Sequence, residues 1–173
     1  MTGATDVAGI GRMNIGQGFD AHRFAPDGSG RELWVAGLKW DGQGEGIEGD
    51  SDGDVAAHAL IDALLSAARL GDIGTLFGVG SDSAGAGQHG LPMLEHTVAH
   101  LRAHGVEPSS ASVVVIGNRP KIGKRRAEAE AALSRAVGCP VSVTATTTDR
   151  MGFTGSGEGI AAIANALVGF RPR

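Results

Sequence analysis

A chain of 173 residues holds one domain, long enough to bury a core of its own. Hydrophobic residues make up 42% and charged ones 20%, ordinary for a soluble globular protein, and a formal net charge of -4 argues against nucleic acid as a partner. The only cysteine, Cys139, excludes an internal disulfide and fits a reducing compartment, and no apolar run reaches the roughly 20 residues of a membrane span. Residues 1–12 lack the cationic start and apolar core of a signal peptide. They read as a loose tail ahead of one domain over 13–173, expected in the cytoplasm. The 29 glycines call for many tight turns or close backbone approaches.

Met13 to Phe19 reads as a strand that enters a polar turn at Asp20-Ala21-His22. PDGSG at 26–30 is a turn, Glu32 to Lys39 a second strand, and DGQGEGIEGD at 41–50 a glycine-rich acidic loop. SDGDVAAHALIDALLSAARL, Ser51 to Leu70, reads as one helix, buried on most sides, with Ser51 as cap and Asp54 completing a box-like start. Asp72-Ile73-Gly74 is a turn, Thr75 to Phe77 a single helical turn, and 78–90 a flexible loop. Leu91 to His104 is an amphipathic helix whose His96, His100 and His104 share the polar face. A second metal site is conceivable there, and a solvated face is the simpler reading. Ser112 to Ile116 is a strand, Gly117 to Gly123 a rigid turn, and 124–137 a helix with Arg126 and Glu130 at i,i+4. Val141 to Ala145 is a strand, and 160–170 a final one. GSGEG at 155–159 has the wrong spacing for a dinucleotide loop. The mixture predicts an α+β fold, a single domain with a mixed β-sheet and helices packed on one face.

The chemistry concentrates at two places. Asp20 and His22 are two apart on an extended segment and aim together. His58 lies between Asp54 and Asp62 on one face of an apolar helix, where polar groups need partners. One carboxylate and two imidazoles are zinc-type ligands, and three protein ligands leave a position open for substrate. The second place is Thr146-Thr147-Thr148-Asp149. Hydroxyls and backbone N–H groups bind phosphate directly, whereas a carboxylate needs a cation in between.

The segments GFDAHRF, SDGDVAAHALIDALLSAARLGDIG, GNRPKIG and ATTTDRMGFTGSGEG occur in that order across roughly residues 13–170. Together they resemble the 2-C-methyl-D-erythritol 2,4-cyclodiphosphate synthase family. The resemblance implies a homotrimer with active sites between subunits, and a cyclising lyase of non-mevalonate isoprenoid biosynthesis. Its substrate would be a cytidine diphosphate compound, 4-diphosphocytidyl-2-C-methyl-D-erythritol 2-phosphate, closed to the cyclic diphosphate with loss of CMP. It implies zinc, or another divalent metal, on Asp20, His22 and His58, and magnesium or manganese at Asp149. Gly117, Pro120, Lys121, Ile122 and Gly123 match a cytidine pocket read through backbone groups, and Asp72, Ile73 and Gly74 a segment touching the erythritol. Asp20, His22, Ser51, Thr146, Thr148, Asp149 and Phe153 complete the implied substrate contacts, with Thr147 steadying developing charge.

Four positions depart from the family pattern. Asp50 stands at the catalytic position where a histidine is usual, and an anion beside phosphate is unfavourable by about a few kcal/mol unless a metal intervenes. Gly78-Val79-Gly80-Ser81 replaces a loop with aspartates, Ser156 replaces an arginine, and Asp149 replaces a frequent glutamate. The reading is an active variant cyclase. The alternative is a catalytically impaired trimeric homologue that binds a cytidine nucleotide or an isoprenoid diphosphate. A zinc hydrolase of phosphate esters ranks last, for want of a general base near the metal.

Overall fold

A computed structural model describes residues 12–80 and 82–171. Of the expected tail only Arg12 falls among them. The fold is built on β1 (Met13–Arg23) and β6 (Gly159–Phe170), antiparallel from Met13 opposite Gly169 to Arg23 opposite Gly159. β4 (Val106–Ile116) lies antiparallel on the other side of β6, and β5 (Val141–Thr146) pairs with β4 in parallel. The result is one mixed sheet in the order β1-β6-β4-β5, as expected of an α+β domain. The parallel pair is joined by a crossover through α4 (Arg126–Val137), as parallel strands require.

Helix α1 (Val55–Ala68) lies across β1 and β6, and every one of its residues except Asp62 and Ser66 is buried. Its near-continuous run of Ala, Leu and Ile therefore serves contacts all round. Leu60, Ile61, Leu64 and Leu65 are fully buried, each stabilising by about 1.5–3 kcal/mol. Glycine permits the approach to the sheet. A Cβ on Gly18 would stand 2.1 Å from the Ala59 carbonyl oxygen, and one on Gly16 2.2 Å from that of Ala63. α3 (Gly90–Ala103) packs on α1 through Met93, Leu94, Val98 and Leu101, and α4 packs beside it through Leu133 and Val137. Helices thus cover one face. On the other, Ile15 is 74% and Phe19 58% exposed.

Several local expectations are corrected. Asp20 to His22 is no turn but the last part of β1, because β6 is long enough to pair with it as far as Gly159. Glu32 to Lys39 is not one strand. β2 (Trp34–Val35) and β3 (Leu38–Lys39) form a hairpin whose two turn residues, Ala36 and Gly37, have φ of 56° and 74°. That is the pattern of a tight primed turn. Asp54, not Ser51, caps α1. Its carboxylate accepts from the N–H groups of Ala56 and Ala57, and across the fold from Ala36 at 2.8 Å and Gly37 at 2.6 Å. One buried side chain thus ties the helix start to the hairpin. β4 begins six residues earlier than expected, where β6 still offers partners. Residues 122–125 form a 3-10 turn before α4, and Glu130 does not pair with Arg126 but accepts from the Val143 N–H at 3.0 Å. α2 (Ile73–Phe77) and α5 (Gly152–Ser156) are single turns, the second unforeseen. No helix among the described residues is long and apolar enough to cross a membrane.

Candidate active site

The β1 end and the first turn of α1 bring Asp20, His22 and His58 together. One ligand atom from each lies within 4.8 Å of the other two. Asp20 Oδ2 is 3.1 Å from His22 Nε2 and 3.1 Å from His58 Nδ1. The other ring nitrogen of His58 meets Ser51 Oγ at 3.1 Å, which fixes the imidazole's orientation. Burial raises the Asp20 carboxyl, but the hydrogen bonds and charges of both imidazoles outweigh it and bring its pKa from 3.8 down to about 2. Burial lowers His58, and Asp20, with Asp54 and Asp52 behind it, turns the net shift upward. An ionised carboxylate against two imidazoles is the donor set that suits a divalent metal, and the residues fit one. Among the described residues no other group of three such side chains converges. His104 Nδ1 bonds the His100 carbonyl at 2.9 Å and His96 lies against Phe77, so α3 presents a solvated face.

A cavity of about 230 Å3 opens over the triad. Of the expected residues, Asp20, His22, Asp50, Ser51, His58, Ile73 and Gly74 line it. Asp72 does not; its carboxylate caps α2, accepting from the Thr75 N–H at 2.8 Å. Asp50 Oδ2 accepts from the Gly80 N–H at 3.0 Å and its carbonyl from the Gly87 N–H at 2.7 Å, so this residue holds the glycine-rich loop beside the cavity. Gly78 and Val79, from the loop that departs from the family pattern, line it too, and the sequence reading missed Asp62, Phe77, Ser83, Gly85 and Met93. Asp62 had a signal, four residues beyond His58. Its Oδ1 accepts from the Ile73 N–H at 2.8 Å, and burial pushes its pKa up, with the charges of Asp72 and Asp20 adding to the shift.

A second cavity, about 320 Å3, is lined by Gly117, Pro120, Lys121, Ile122, Gly123, Thr146 and Thr147, all expected, and by Asn118, Lys124 and Ala145, which were not. The Ile122 side chain is buried in the core, leaving its backbone to face the cavity. The Lys121 ammonium donates to the Asn118 carbonyl at 2.9 Å across the turn. The threonine run does not act together. Thr148 Oγ1 turns away to the Met151 carbonyl at 2.6 Å and to Thr154, securing the start of α5. Asp149 is exposed and lines neither cavity. Phe153 lines a third hollow with Ala21, His22, Arg23, Glu158 and Gly159.

The sequence profile of the YgbB family matches residues 13–169. A protein of Bifidobacterium longum subsp. infantis named 2-C-methyl-D-erythritol 2,4-cyclodiphosphate synthase is 74% identical over 170 residues, covering 92% of this chain and 98% of its own. One of Cutibacterium acnes with the same name is 52% identical over 156 residues, 90% of each chain. Among solved structures, a 2C-methyl-D-erythritol-2,4-cyclodiphosphate synthase described as a CDP-bound form superposes with a TM-score of 0.77 at 35% identity, covering 89% of this chain and 99% of that one.

Proposed function

This chain belongs to the YgbB family, and from that premise we infer that it performs the reaction its relatives are named for. It is an enzyme of isoprenoid biosynthesis that closes 4-diphosphocytidyl-2-C-methyl-D-erythritol 2-phosphate to the 2,4-cyclodiphosphate and releases CMP. The observation that carries the reading is the meeting of Asp20, His22 and His58 at the mouth of a cavity, on a fold that superposes on a CDP-bound relative.

The reaction asks little covalent work of the protein. The nucleophile is a phosphate oxygen, already ionised at neutral pH, so no general base is needed. It forms a bond to the β-phosphorus as the bond to the CMP oxygen breaks, and CMP leaves with the electron pair. Asp20, His22 and His58 would hold zinc or another divalent metal, and the exposed Asp149, two residues beyond Thr147, would hold a magnesium or manganese ion. Bound there, such ions would supply positive charge to the phosphate oxygens. Ser51 keeps the His58 ring in place. Thr147, exposed at the cavity lining, offers its hydroxyl to the charge that develops in transfer. The Gly117 to Gly123 turn takes the cytidine through its backbone, and Ile73 and Gly74 face the erythritol. Positioning of the two ends carries most of the rate.

The two cavities share no lining residue, which supports a site assembled between subunits of a homotrimer. The sheet face opposite the helices, with Ile15 and Phe19 exposed among the described residues, supports the same assembly. The test is phosphorus NMR of the purified chain with the cytidylyl substrate, zinc and magnesium. Equal amounts of cyclic diphosphate and CMP are expected. Inorganic phosphate would assign a hydrolase instead, and no product at all an impaired homologue.

A further inference from the structure

Arg119 stands beside the proline of the nucleotide turn, yet it does not line the cavity there. Its guanidinium lies 3.6 Å from the centroid of the Phe24 ring. From there Nη1 donates to two carbonyls, of Gln43 at 2.9 Å and of Glu45 at 2.6 Å. These anchors are themselves fixed. The Phe24 N–H bonds the Glu158 carbonyl at 3.0 Å, the Ala25 N–H that of Gly46 at 2.9 Å, and the Glu48 N–H that of Arg23 at 2.8 Å. The guanidinium is also enclosed, because a Cβ added at Gly44 would stand 2.7 Å from Nη1. A cation over an aromatic face with two carbonyl acceptors is a strong, directional hold. Within the turn the Asn118 side chain, bonded to the Gly155 carbonyl at 2.8 Å, and the Lys121 ammonium add side-chain restraints.

We infer that Arg119 is a positioning residue for the nucleotide turn. It clamps the backbone between Asn118 and Lys121 against the 43–45 loop, so that the groups meeting the nucleotide stand ready before binding. The inference rests on reading that cavity as the cytidine end of the active site. A backbone-read pocket has no long side chains to re-aim, so a loosened turn must be re-ordered by the ligand, and that weakens binding more than it slows chemistry.

The test uses the metal-loaded full chain and three variants, Arg119→Ala, Arg119→Lys and Phe24→Leu. CDP affinity is measured by calorimetry, and KM and kcat from CMP release. Arg119→Ala is expected to raise the CDP Kd and the KM by about tenfold while kcat stays within about twofold. Arg119→Lys keeps a cation but not the fork, and should fall between. Unchanged CDP affinity and KM in Arg119→Ala, or a fall in kcat alone, overturns the inference. If Arg119→Ala does not fold, Phe24→Leu decides. A raised KM supports the clamp, and an unchanged KM overturns it. Failure of the unsubstituted protein to bind CDP overturns the cytidine reading and the clamp with it; equal binding by unsubstituted and variant proteins overturns the clamp alone.

Discussion

Replacing Gly18 by alanine tests whether the contact between sheet and helix sets the geometry of the triad. The added Cβ would lie 2.1 Å from the Ala59 carbonyl oxygen and 2.6 Å from the Ala63 nitrogen, where ordinary contact begins at 3.4 Å. Both are backbone atoms, so no side chain can swing aside. The helix must recede by roughly 1 Å, and overpacking of this kind costs about 1–3 kcal/mol. His58 rides on that helix next to Ala59, while Asp20 sits two residues beyond Gly18 on β1. Metal–ligand distances tolerate only about 0.2 Å, so a shift of this size costs the site one of three bonds. Urea denaturation of the metal-free protein should show the stability loss, and a competitive zinc titration a fall in affinity of about tenfold or more. Gly16→Ala meets α1 further from His58, at the Ala63 carbonyl and the Ala67 nitrogen, 2.2 and 2.3 Å away. It should destabilise comparably and weaken zinc less. A Gly18→Ala protein that matched the unsubstituted one in both measurements would refute the reasoning.

Three further outcomes follow from the same geometry. Asp54→Ala removes the shared acceptor of the Ala36, Gly37, Ala56 and Ala57 N–H groups. It loses a cap and orphans buried donors, so unfolding free energy in urea should drop by at least about 3 kcal/mol; a drop below about 1 kcal/mol would contradict this role. The Asp20 carboxyl titrates near 2 in the folded chain against 3.8 for the free group. A depressed value gives stability that is present above the unfolded pKa and lost as pH falls through the folded one. The metal-free protein should therefore lose about 2 kcal/mol between about pH 4 and 2, and Asp20→Asn should flatten that part of its stability curve. Thr147→Ala should lower kcat by about tenfold or more with CDP affinity little changed, and an unaltered kcat would remove Thr147 from the reacting end.

The parts of the site that could be read from sequence are those whose side chains are placed by local periodicity. Asp20 and His22 alternate along a strand, and Asp54, His58 and Asp62 repeat along a helix, so their common faces were visible before any tertiary contact was known. The helix itself announced its burial by its composition. What could not be read is what distant groups impose. Nothing local says that Asp20 to His22 will pair with Ala162 to Ile160, and so remain strand. Ala36 takes a left-handed φ in a two-residue turn whose N–H groups are held by the Asp54 carboxylate, eighteen residues away. The S-x-x-D pattern pointed to Ser51 as cap, but the buried carboxylate took that place and freed Ser51 for His58. The three threonines that end β5 and follow it look equivalent as letters, and the unforeseen turn of α5 draws Thr148 away from the other two. Likewise 78–90 read as a flexible loop, yet the Asp50 carboxylate holds the Gly80 N–H, and the neighbouring Gly78 and Val79 line the cavity over the triad.

The most direct test is an anomalous-scattering map at the zinc absorption edge, from crystals grown with zinc and CDP. The account predicts one strong peak about 2.0–2.2 Å from an Asp20 oxygen, His22 Nε2 and His58 Nδ1. A map with no peak among those three side chains, in crystals that have taken up zinc elsewhere, would contradict it.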